Sequence, residues 1–142
     1  MDPRALVSRE QVRGGDQLLR RLKDGGFAVV GAAWAQTESD GQPYLYIVSP
    51  TVERDASFKP IRQLHVALDE LNATRSDPSD RLDPFEIKLV GESGSLAQGI
   101  LDWLQRHPDD RPTHHRGASL GGVPIDGAYI YPATMFTPPQ PA

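Results

Sequence analysis

Two nearly uninterrupted apolar runs, residues 27–35 and 44–48, dominate the hydropathy pattern, and the polar, turn-forming residues 36–43 separate them. This pattern predicts a β-hairpin turning at Asp40-Gly41, a pair that tolerates the positive φ of a tight turn. Neither run alternates, so both faces of these strands are expected to be covered and the hairpin to lie centrally in a sheet. Gly31, Ala32, Ala33 and Ala35 leave room for a helix to cross the first strand, and Trp34 is the expected core anchor. In the second strand Tyr44 and Tyr46 share one face while Leu45 and Ile47 share the other.

The flanking segments carry helical signals. Ser8 and Gln11 match a capping box, in which each side chain satisfies a backbone N–H left free by the first turn. Gly14-Gly15 predicts an interruption, since each glycine costs about 1 kcal/mol relative to alanine inside a helix. A fresh start capped by Asp16 then carries Leu18, Leu19 and Leu22 to Gly25-Gly26. Ile61, Leu64, Leu68 and Leu71 recur at helical spacing and predict a helix over 60–73. Phe85, Ile87 and Leu89 alternate with Glu86 and Lys88, the pattern of a strand over 85–90 with one buried face. Ser95 and Gln98 repeat the capping-box pattern and open a helix to Arg106, with Leu96, Ile100, Trp103 and Leu104 as its apolar face.

Residues 107–122 read as a long loop, followed by a last strand over 128–131 paired with 123–125 across Asp126-Gly127. The expected order is α-β-β-α-β-α-β, an α/β domain with α+β as the alternative. It has about three helices and a mixed sheet of four or five strands, antiparallel at the hairpin and parallel among the later strands. Residues 1–7 read as a tether, 8–133 as the single domain and 134–142 as a proline-rich tail.

Composition narrows the function classes more than it selects one. At 142 residues one hydrophobic core is expected. A net charge of −4 gives no chain-wide electrostatic footprint for nucleic acid; Arg20, Arg21 and Lys23 are the nearest approach to a local basic patch. The absence of cysteine excludes a disulfide framework, a catalytic thiol and any thiolate metal site. No run approaches the roughly 20 apolar residues of a membrane span, and the N-terminal residues carry no apolar leader pattern, so a cytoplasmic protein without membrane contact is expected.

Candidate chemistry sits at the strand ends. Parallel second and third strands would place Ser49-Pro50-Thr51 beside Gly91-Glu92-Ser93-Gly94-Ser95, where open α/β sheets bind ligands. Ser49, Thr51, Glu92, Ser93 and Ser95 are therefore the candidate ligand-binding residues, with a small anion as the ligand. The same loop has Ser93 in the position of a nucleophile elbow, Gly-x-Ser-x-Gly, but Ser95 replaces the last glycine. Glu86 and Lys88 resemble the Glu-x-Lys half of a metal-dependent nuclease site, although the preceding strand offers no partner acid. His114-His115 beside Asp109-Asp110 lack the spacing of a metal site. No metal or cofactor is expected, and the expectation leans away from an enzyme. A small binding or accessory module with a protein partner is preferred, working through a sheet edge, the 107–122 loop or the tail. The alternatives are a metal-dependent nuclease or other phosphate-handling enzyme using Glu86 and Lys88, and small-anion sensing at the strand ends.

Overall fold

The computed structural model describes residues 7–39, 41–54, 59–74 and 82–136. Asp40 of the expected turn, loop residues 75–81, tether residues 1–6 and tail residues 137–142 lie outside the described residues.

The central hairpin forms as its apolar runs require. Strand β1 (Gly31–Thr37) pairs antiparallel with β2 (Tyr44–Val48), with Trp34 opposite Leu45. On the far side of β2 lies β3 (Ile87–Val90), parallel to it, with Val48 opposite Val90. On the far side of β1 lies β5 (Val123–Ile130), which pairs in turn with β4 (Thr113–Leu120), both antiparallel. The result is a mixed five-stranded sheet in the order β3-β2-β1-β5-β4.

Helix α1 (Arg9–Asp24) and helix α3 (Lys59–Ala73) pack side by side, and helix α4 (Ser95–Arg106) crosses β1. A single turn, α2 (Thr51–Arg54), follows β2. The small residues of β1 make the α4 crossing possible, because a Cβ on Gly31 would stand 3.1 to 3.3 Å from Leu104, Leu101 and Ile100. Trp34 points the other way, toward α1, and is fully buried. The chain order and mixed sheet are those the pattern predicts, with one added strand.

Local signals and tertiary packing disagree at several places. The Ser8–Gln11 capping box is formed in both directions, at 3.1 and 2.8 Å, but α1 runs unbroken through Gly14 and Gly15. A Cβ on Gly14 would stand 2.8 Å from Leu82, and one on Gly15 would collide with the Tyr131 hydroxyl. Close approach of the core, not a helix break, is the reason for both glycines. Asp16, expected as a fresh cap, instead pairs with Arg20 one turn on at 3.2 Å.

Residues 107–122 are not all loop, because 113–120 form β4 and turn into β5 through Gly121 and Gly122 at φ of +62° and +81°. Asp126-Gly127 accordingly lies within β5 and not at a turn, Asp126 falling where the pairing with β1 shifts register. Parallel pairing is confined to β2 and β3. The chain leaves β3 through α4, reaches the opposite edge of the sheet and returns as the β4–β5 hairpin.

Phe85 is 87% exposed, not buried, because Pro84–Glu86 wind into a 3-10 turn before β3 begins. The Asp83 carboxylate accepts the Phe85 N–H at 2.9 Å, a local bond that competes with strand pairing. Ile61 is also exposed; it lies on nearly the same side of α3 as buried Leu68, seven residues on, but in the first turn of the helix, where none of the described residues covers it. Finally, Ser95 does not cap α4. Gly94 holds the cap position without a side-chain bond, and the Gln98 side chain donates to the Glu92 carbonyl instead.

Candidate functional site

The sheet has two margins, and they differ in length. Edge strand β3 has four residues, while β4 has eight. Rings gather around β4 on both faces of the sheet. On the α4 side, the Trp103 indole N–H donates to Thr113 Oγ1 at 3.0 Å, tying the helix to the start of β4. His107 stacks on Trp103 with centroids 4.1 Å apart, held by its Nδ1–H on the Trp103 carbonyl at 3.0 Å. His115 meets Trp103 edge-on at 5.3 Å, and its Nε2 is buried with no hydrogen-bond partner among the described residues.

On the other face the rings form a row leading into the core. Exposed His114 sits edge-on to Tyr129 at 4.9 Å, and Tyr129 sits edge-on to Tyr131 at 5.2 Å. The Tyr131 hydroxyl accepts from the Trp34 indole at 3.1 Å and donates to the Val12 carbonyl at 2.7 Å. Burial pushes the Tyr131 phenol far above its ordinary range, the Trp34 bond opposing only part of that shift. Tyr129 is raised in the same direction, mainly by burial and then by the charge of Asp16.

Backbone geometry decides what β4 offers to solvent. Tyr131 N–H donates to Ala32 O, so by alternation Tyr129 also turns its backbone toward β1, while Ala128 and Ile130 turn theirs toward β4. Their partners His115 and Thr113 therefore face β5, and His114 between them directs its N–H and C=O outward.

The residues singled out from the sequence are distributed as follows. Ser49 is buried, its Oγ accepts from Thr51 N–H at 3.2 Å, and its own N–H donates to Val90 O at 3.0 Å. The loops after β2 and β3 are thus neighbours. Within them Glu92 is half-buried, and Ser93 and Ser95 are exposed. Glu86 and Lys88 are not brought together. The Glu86 carboxylate accepts from Gln11 Nε2 of α1 at 3.0 Å, whereas Lys88 Nζ lies over the Tyr44 ring at 4.1 Å and farther from Tyr46, at 5.7 Å. Among the described residues no three His, Asp or Glu side chains converge as a metal-binding group.

Sequence reasoning named the 107–122 segment but missed its strand, and with it His114 as the residue between edge and core. The available signal was Gly121-Gly122, a two-residue hairpin turn between two segments of equal length. No protein-family model, no curated protein and no solved structure matches this chain.

Proposed function

We propose that the chain is a non-enzymatic binding module that recognises an extended segment of a protein partner by strand addition to β4. The observation that carries this reading is the eight-residue edge strand, with the His114 backbone turned outward and rings on both faces. Main-chain bonds would supply affinity and the alternating side chains selectivity, as in other strand-addition complexes. His114 and Tyr129 line one side of the added strand, and Trp103 and His115 the other. The central strands serve as the rigid platform.

The test uses His114→Pro, which removes one outward donor and leaves the inward ladder to β5 intact. Wild-type protein is expected to retrieve a stoichiometric partner from its native host, and the variant to lose it while keeping its secondary structure by circular dichroism. A partner held equally by both proteins sinks the reading. So does Mg²⁺- or Mn²⁺-dependent cleavage of DNA, RNA or nucleotide esters that disappears in Glu86→Ala and Lys88→Ala.

A further inference from the structure

A second surface, remote from β4, has a different chemistry. A groove of about 760 Å³ opens between the C-terminal part of α1 and the outer face of α3. Its floor is apolar: Leu22 and Ala67 are buried, and Val66 is left 50% exposed within it. Among its described lining residues the rim carries three cations, Arg21, Lys59 and Arg62, and one carboxylate, Glu70. On a chain whose net charge is −4, this is a local reversal of sign. Glu70 engages Arg21 at 3.3 Å, but both partners are solvent-exposed, a class of ion pair worth about 0–1 kcal/mol and readily exchanged.

The groove also has direction. Lys59, Arg62, Val66 and Glu70 follow one another at three- and four-residue steps along one stripe of α3, which at 1.5 Å per residue spans about 16 Å. That length matches three helical turns, and two packed helices present ridges between which a third can lie. We propose that this groove docks an acidic, amphipathic helical segment of a partner protein, its apolar side chains on Leu22, Val66 and Ala67 and its carboxylates on Arg62, Lys59 and Arg21. Charge complementarity selects the partner's sign, and the apolar floor requires its amphipathicity. The inference stands apart from strand addition at β4, since neither surface shares a residue with the other.

The probe is a fluorescein-labelled peptide of about 14 residues with Leu at i, i+3/i+4 and i+7 and Glu on the flanks, read by anisotropy on the full chain. Two control peptides replace Glu by Lys and Leu by Ser. The acidic amphipathic peptide is expected to bind saturably, and raised salt is expected to weaken it. Both controls are expected to bind at least about tenfold more weakly, and Arg62→Glu and Val66→Asp to reduce binding by a similar factor. Both altered side chains are exposed, so the melting temperature should hold; Arg62→Ala gives a milder second variant should either misfold. Equal binding of the Lys peptide overturns the proposal, as do variants that bind like wild type or the absence of saturable binding. Displacement of the peptide by octanoate at comparable concentration would assign the groove to small amphipathic carboxylates and equally overturn it.

Discussion

The two tryptophans sit in contrasting surroundings. Trp34 is fully buried, and its indole N–H belongs to a closed network in which the Tyr131 hydroxyl both accepts from it and donates to Val12 O. Trp103 is half-buried at the margin, its N–H on Thr113 and its ring flanked by His107 and His115, whose Nε2 has no partner among the described residues. In the first region every polar atom of the network is matched, and a low-dielectric interior makes such a network rigid. In the second the buried His115 Nε2 is unmatched among the described residues, and the neighbouring His107 is exposed. The core closes its own polar network, whereas the margin leaves His115 Nε2 without a partner among the described residues.

Breaking the core side should have the largest effect. Gly15→Ala would gain about 1 kcal/mol of helix propensity, but its Cβ collides with the Tyr131 hydroxyl, so overpacking and loss of the Tyr131 bonds outweigh that gain. A net loss of about 3 kcal/mol is expected in urea denaturation, and an unchanged midpoint would show that the core yields to the extra methyl.

The alkaline limb of stability sharpens the contrast further. An unfolded tyrosine releases its proton near the ordinary value of 10.0, whereas folded Tyr131 holds its proton well above that. The stabilisation is therefore complete below pH 10 and is lost as pH rises past it, by up to about 1.4 kcal/mol per pH unit for this group. Tyr129 adds a loss of the same sign. Tyr131→Phe should lower stability near neutrality by about 2 kcal/mol, because it orphans the Trp34 N–H, yet give a flatter profile above pH 10. Parallel profiles for the two proteins would remove Tyr131 as the cause.

The smallest effect belongs to the margin. His115→Phe deletes a buried nitrogen without a described partner and keeps a ring against Trp103, so stability should change by less than about 1 kcal/mol, in either direction. A loss of several kcal/mol would mean that His115 belongs to the structural network after all.

Local pattern carried the architecture a long way. The continuous apolar runs placed β1 and β2 centrally, the Ser8–Gln11 box set the start of α1, and the apolar spacing in 95–106 gave α4 its full length. Phe85 and Ile61 went wrong for one shared reason: an apolar residue in a plausible period is buried only if a neighbour arrives to cover it. The candidate site was less legible. Ser49 did come beside the end of β3, bonded to Val90, because β2 pairs parallel with β3, but Glu86 and Lys88 separated when the 3-10 turn withdrew Glu86 from the strand.

By itself the sequence determined the helical and extended segments whose signals are local: side-chain period, caps and tight turns. Tertiary structure alone decided that Gly14 and Gly15 remain helical, since only in the fold do Leu82 and the Tyr131 hydroxyl pack closely against the bare backbone of α1. It also turned residues 113–120 into a strand, for which the sequence offered only the Gly121-Gly122 turn as a signal. THHRGASL has little strand propensity, and the bonds that hold it come from β5, a partner it reaches only through the Gly121-Gly122 turn.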